Sequence, residues 1–457
     1  MIVSQRHTQP RRLRIAGIAA AMIIAAGSTG CSPGDLLEVE TPDIIDPRAV
    51  QSAAGANAVR LGALAQFTTA TSGGESLLLL SGLFADEWIN GDTFVDRHQF
   101  DRRDMLPANT FMATASRNLH RARQSASQAV SLMGTYLPAA PPSQVGELHF
   151  VQAFLVNQAA ENFCNGLVFS DVAVDGTITY GNQITGVQAF ERALGHATDG
   201  LAVITGATAA DVRIRHALNL TRGRILFNLN RPAEAAAAVA GVPTNYAYTI
   251  NHGVSTANNN IWTWNNNARR YSVANNEGGN GLNFASAADP RVPVCRAPCP
   301  QGGVTQASRE DGQQPLDVQQ LWPTRETGVA LLRGVDARMI EAEAALRAGN
   351  AGAALDILNA ARATVSLAPL TDAGTAAARL DQMMREKAFW SFGRGQRMGD
   401  LRRLVRQYSR PQNTVFPTGT WHKAGGTYGS DVNMPIPQEE SNNPNLNGTA
   451  ACLDRNP

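Results

Sequence analysis

Long helical runs, interrupted by one extended stretch that cannot be helix, limit the folds open to this chain. Apolar residues recur at three- and four-residue spacing over 47–70, 109–135, 144–164, 186–206, 209–229, 233–240, 327–348, 351–363 and 374–407, so each range predicts a helix with one buried face. The segment LPAAPPS (137–143) stops the chain between two of them, because proline fixes φ and has no N–H to continue the ladder. Residues 243–325 are different: dense in Asn, Gly and Pro with short β-branched pieces, as in NYAYTINHGVSTANNNIWTW and DPRVPVCRAPC. A structureless loop of about eighty residues is out of place inside a compact domain. The block is therefore expected to be a loop-rich insert between helical hairpins, and 408–457, of similar composition, an irregular C-terminal segment.

Two helix breaks share one pattern. Ala342, Gly349, Ala354, Leu358 and Ala361 fall at the spacing of the small and apolar positions of a tetratricopeptide repeat, and Gly223, Asn230, Ala235 and Val239 fit the same spacing. Small residues there let two antiparallel helices approach closely. The fold class is thus mostly α, helical hairpins packed against an irregular half with short strands.

The first thirty residues belong to a different grammar. Arg6, Arg11, Arg12 and Arg14 form a basic head, Ile15 to Ala26 is apolar, and Gly27 to Gly30 are small. That is the layout of an export signal, with an apolar run too short to cross a bilayer of about 30 Å. Ser28-Thr29-Gly30-Cys31 resembles a lipobox, with Ser28 where leucine is commonest; Cys31 would then be acylated and hold the body on a membrane, each buried methylene contributing about 0.8 kcal/mol. An ordinary signal peptide is the alternative, and Arg11-Arg12 leaves the twin-arginine route open. Residues 1–30 carry four arginines and no acid, which takes the remaining chain from +1 to −3. A body without a basic field is not built for nucleic acid.

The other cysteines fit an oxidising compartment. Cys295 and Cys299 frame CRAPC, a spacing that favours a small disulfide loop; a metal half-site is the rival, but no histidine or second cysteine pair stands at zinc spacing. Cys164 and Cys452 are the pair left over. No H-E-x-x-H, G-x-S-x-G or P-loop occurs, so neither an enzyme nor a cofactor is expected.

Binding residues are sought among the tryptophans, because aromatic faces stack on apolar ligand surfaces while a few polar groups set orientation. Trp262 and Trp264 lie in the insert with Asn266, Arg270 and Tyr271 behind them; on an extended strand, period-two spacing would put both indoles on one face. They are read either as a platform or as plugs onto the core. In DEWINGDTF (86–94), Asp86, Trp88, Asn90 and Asp92 alternate on one side of a non-helical stretch; a calcium loop is a weaker reading, lacking the closing glutamate. Trp322 and Trp421 could be platform, partner contact or core, and Trp390 core. The cluster Arg394, Arg397, Asp400, Arg402 and Arg403 reads as helix-locking ion pairs rather than catalysis.

The segment MMREKAFWSFGRGQRMGDLRRL (383–404), with Arg385-Glu386, Gly395-Gln396-Arg397 and Asp400-Leu401-Arg402-Arg403, resembles the signature helix of the SusD/RagB family of outer-membrane nutrient-binding lipoproteins. LLEVETPDII (36–45), DPR (289–291), the hairpin 331–363 ending in Asn359 and Arg362, and PIPQEESNNPNL (435–446) resemble further family elements in the same order. ENFCNGLVFSD (161–171) departs from the pattern, lacking Gly-Asp-Val-Pro. The resemblance implies four tetratricopeptide-like hairpins against a loop-rich half carrying the ligand site. It also implies a lipid-anchored protein at the cell surface, oligosaccharide or peptide as ligand, and a SusC-like TonB-dependent β-barrel transporter as partner.

Overall fold

Capping chemistry and apolar spacing together set the helices of the computed structural model, which describes residues 50–253, 255–300, 303–423 and 425–457. The signal region 1–30, Cys31 and the LLEVETPDII motif lie outside the described residues. The helices are α1 Ala53–Ser72, α2 Leu77–Phe84, α3 Val95–Arg102, α4 Thr110–Tyr136, α5 Pro142–Asn162, α6 Gly186–Val203, α7 Ala209–Asn228, α8 Pro232–Val239, α9 Gly334–Arg347, α10 Ala351–Ala363, α11 Ala376–Ser391 and α12 Arg397–Tyr408. Asn109, Thr185, Thr208, Asn350 and Thr375 each accept a backbone N–H of the first turn they precede, and Thr185 and Thr208 form full capping boxes. Pro142 and Pro232 open α5 and α8, where the missing N–H costs nothing.

The helices pack pairwise: α1 on α4, α5 on α6, α7 on α8 and α9 on α10, with α8 against α9 carrying the array onward. The two breaks that share a sequence pattern share a conformation too. Asn230 and Gly349 both turn through positive φ, at 61° and 81°, and the small residues Ala235, Ala342, Ala354 and Ala361 are buried between the paired helices.

Two expected helices are interrupted. Residues 327–348 begin as a strand, Val329–Arg333, paired antiparallel with Ala247–Ile250; a short apolar run is ambiguous between the two structures, and the partner decides. The 374–407 helix breaks at 392–396, where Gly393 and Gly395 have φ of 69° and 67°. A Cβ on Gly393 would lie 3.1 Å from the Trp322 ring and 3.3 Å from that of Trp88, so the chain turns where only glycine admits both indoles.

That break sits in a net of buried ion pairs. Arg394 forks onto Asp336 at 2.6 Å, Arg397 onto Asp86 at 2.6 Å, and Arg403 onto Glu343 at 2.5 Å. Three motifs far apart in sequence converge on one carboxylate: Glu386 takes Arg291 at 2.5 Å and Arg362 at 2.7 Å, Arg291 also pairing with Asp289. The charged signature is scaffolding.

Short antiparallel pairs join the 243–325 block to the chain on either side of it, β1 Trp88–Asn90 with Tyr271–Val273 and Val329–Arg333 with Ala247–Ile250, while Val294–Arg296 and Asp317–Gln319 pair within it. It holds a small apolar cluster of Ala297, Cys299, Val304, Leu316 and Val318 beside the Cys295–Cys299 disulfide. Cys164 bonds Cys452, tying the end of α5 to the C-terminal segment, where Asn165 also meets Asp454. Among the described residues no helix is long and apolar enough to cross a membrane.

Candidate functional site

Trp88–Asn90 and Tyr271–Val273 form one two-stranded ribbon, with Trp88 opposite Val273 and Asn90 opposite Tyr271. The structure thus brings together the two stretches that the sequence offers as separate candidates, but the ribbon is buried on both faces. Trp88 is 0% exposed, its ring 4.9 Å from that of Phe392. Trp322 is buried against the same glycine, Gly393, and Tyr271 is enclosed. These three aromatics are core and cannot stack on a ligand: alternation defines a face, not which face is wet.

The polar candidates beside them are spent on structure. Asn265 and Asn266 bind Gln319, which in turn holds the backbone of Trp322, so Asn266 is a buried brace. Asn90 and Asp92 bind each other, Asp92 accepts the N–H of Phe94 at 2.9 Å, and its carboxylate pairs with Arg97. Trp421 is buried and donates to Asp101 at 2.9 Å.

Beyond the ribbon the chain reaches solvent. Phe94, at 48% exposed, stands at the start of α3. Residues 260–262 form a helical turn that runs into a π-turn at Thr263–Asn267, so Trp262 and Trp264 are not on an extended strand. In helical backbone residues two apart point different ways, and the indoles share no face by spacing alone. Both are half-buried. Trp264 is oriented by its N–H donating to the Gly74 carbonyl at 3.2 Å.

Arg270 closes this arrangement. Its guanidinium carbon lies 5.0 Å from the Phe94 ring centroid and 5.4 Å from that of Trp264, a cation shared between two aromatic faces. Among the described residues it has no salt-bridge partner, and its Nε is buried without an acceptor. Underneath, Arg97 lies 4.6 Å from the Phe111 centroid and 5.1 Å from those of Phe94 and Trp264, and is paired with Glu75 and Asp92. Burial, only partly offset by Arg97, pushes the Glu75 carboxyl up to about 7. The result is a patch of flat apolar faces around one guanidinium able to donate, carried on a buried ion-pair base. It suits a ligand with an apolar C–H face rimmed by hydroxyls or a carboxylate.

Of the residues singled out in the sequence, Trp264 and Arg270 belong to this patch; Trp262 is its neighbour in the chain. Phe94, Phe111, Arg97 and Glu75 were not singled out. Phe94 is the next member of the 86–92 alternation, and an aromatic at that place in DEWINGDTF was its available signal; nothing local marks the other three.

Two larger clefts lie on the helical side. One of about 550 Å³ is lined by Gln124, Gln128, Tyr136, Asp171, Asp175 and Thr179, the other, about 570 Å³, by Ala53, Asn57, Tyr136 and Pro138. Tyr136 is the sole aromatic in each lining, and Gln124 and Gln128 already donate to the Val172 carbonyl. They offer room with a single aromatic ring in each lining, where the patch has several.

Paired helices packed against an irregular half are an architecture that this chain shares with solved SusD-like structures. The chain is similar, at 13% identity and TM-score 0.63, to surface glycan-binding protein A from Bacteroides thetaiotaomicron, with 89% of this chain and all of that one covered (100%). It is similar to a SusD superfamily protein from Parabacteroides distasonis at 13% identity and TM-score 0.61, covering 86% and 98% of the two chains. A laminarin-binding SusD-like protein matches at 15% identity and TM-score 0.57, covering 88% and 99%. No protein-family model matches the sequence, and no curated protein matches it. At these identities the likeness shows the shared fold.

Proposed function

We propose that this chain is a lipid-anchored glycan-binding protein of the SusD kind, which holds oligosaccharide on the Phe94–Arg270–Trp264 patch and hands it to a SusC-like TonB-dependent transporter in the outer membrane. The observation that carries the reading is the Arg270 guanidinium, without an ion-pair partner among the described residues and shared by two solvent-reaching aromatic rings. Support comes from the fold held in common with proteins described as surface glycan-binding and laminarin-binding. Binding is by stacking and hydrogen bonds, with no bond made or broken. Peptide is the second reading, favoured by Arg270 itself, whose free N–H groups suit a terminal carboxylate.

The test is calorimetric titration of the protein with a panel of neutral and acidic oligosaccharides and of oligopeptides. A saturable glycan ligand should be weakened about tenfold by Trp264→Ala and by Phe94→Ala, the size expected for losing one stacked ring, with helical circular dichroism unchanged. A panel without binding, or binding indifferent to both substitutions, would remove the proposal; peptide binding with the same sensitivity would select the second reading. The anchor has its own test. Cys31→Ala should move the protein from membrane to soluble fractions, and undiminished membrane retention would contradict acylation at that residue.

A further inference from the structure

Away from the aromatic patch, α5 and α6 bring His149, His196 and Asp199 together, with one ligand atom from each lying within 4.8 Å of the others. His196 and Asp199 are three residues apart on α6 and so share a face, while His149 comes from the facing helix. The helices meet closely at this level: a Cβ on Gly200 would fall 2.9 Å from the His149 Cβ, so the absent side chain lets the imidazole sit directly against α6. His149 Nδ1 and His196 Nε2 are buried and have no hydrogen-bond partner among the described residues. Buried ring nitrogens normally find one. The nearby arginines are already committed, Arg123 to Asp171 at 2.6 Å and Arg192 to Asp171 at 3.1 Å. Asp199 is exposed, so the cluster is reachable from solvent.

We propose that His149, His196 and Asp199 bind one divalent transition-metal ion of the Zn²⁺ class, leaving a fourth position open to water. Two imidazoles and a carboxylate are the borderline ligand set such ions take, whereas Ca²⁺ and Mg²⁺ select oxygen ligands. Bound there, the ion ties α5 to α6 across the excursion 163–185 that separates them in sequence. It is a site on the helical side, separate in its residues from the ligand patch and independent of the function proposed for that patch.

The experiment uses the full chain, purified without a polyhistidine tag, stripped with EDTA and titrated with ZnCl₂ by calorimetry, with CoCl₂ as a spectroscopic probe. One equivalent of Zn²⁺ should bind, raise the melting temperature by preferential binding to the folded state, and give visible Co²⁺ bands of low-coordinate N/O ligation. His196→Gln and Asp199→Asn should each weaken binding by roughly tenfold or more, since even the loss of an outer partner of a metal ligand has that effect. Asp199→Asn is an exposed change that leaves packing intact, and circular dichroism checks the histidine variant. His252→Gln should change nothing. Absence of saturable binding, or binding untouched by both substitutions, overturns the proposal. So does loss of binding in His422→Gln with retention in His196→Gln, which would move the ion to Asp101, Glu277 and His422, the other trio of ligand-type side chains within reach of one another.

Discussion

Glu386 shows how single residues in this protein do structural work that resembles chemistry. It receives Arg291 from the DPR element and Arg362 from the end of α10, all three largely withdrawn from water. Removing one partner of a buried ion pair strands the other charge. Glu386→Ala should therefore lower unfolding free energy by about 3–5 kcal/mol in urea titrations, and a change near zero would mean the net is ornamental. Glu87 behaves oppositely. Burial pushes its carboxyl up to about 8, with the Gly393 N–H pulling the other way, so the folded state holds a proton that the unfolded chain releases near 4.5. That contribution to stability is complete below about 4.5 and is lost as pH rises through about 8. Glu87→Gln should thus gain melting temperature relative to the parent across that window; parallel curves would refute the assignment. The tryptophans show what residue-level reading misses: Trp88 and Trp264 look alike in sequence, and only the tertiary pairing of 88–90 with 271–273 submerges the first.

At the scale of elements, long helices with a one-sided apolar pattern were legible, α4 and α10 to within a residue or two, as was the shared turn at Asn230 and Gly349. Two short helices were not. α2, LLLLSGLF, is buried all round and has no period to read, and α3, VDRHQFDR, is too polar to show one. The Val329–Arg333 strand owes its identity to a partner eighty residues earlier, and the 392–396 break to two indoles packed on Gly393; neither cause is local. Both cysteine pairings could be anticipated, one by spacing and one by elimination, and they should differ in weight. The Cys164–Cys452 bond closes 288 residues and Cys295–Cys299 only 4. Paired Cys164→Ser and Cys452→Ser substitutions should cost roughly 2–4 kcal/mol and Cys295→Ser with Cys299→Ser less, because a longer loop constrains the unfolded chain more. Equal losses in denaturant titrations would contradict that ordering.

For the whole molecule, the family resemblance carried on 383–404 implied hairpins against a loop-rich half, and the described residues have that architecture, at TM-scores of 0.57 to 0.63 to proteins only 13–15% identical. The candidate site was less legible than the fold. Phe94, Trp264 and Arg270 come from segments about 170 residues apart, and their assembly depends on Asp92 and Arg97 beneath them, buried charges whose role a sequence does not display. The most direct measurement is a crystal structure of the protein soaked with the tightest oligosaccharide from the binding panel. Sugar rings stacked on Trp264 or Phe94 with a hydroxyl or carboxylate on Arg270 is the predicted result; ligand seated instead in the cleft beside Gln124 and Tyr136, with the aromatic patch bare, would contradict the account.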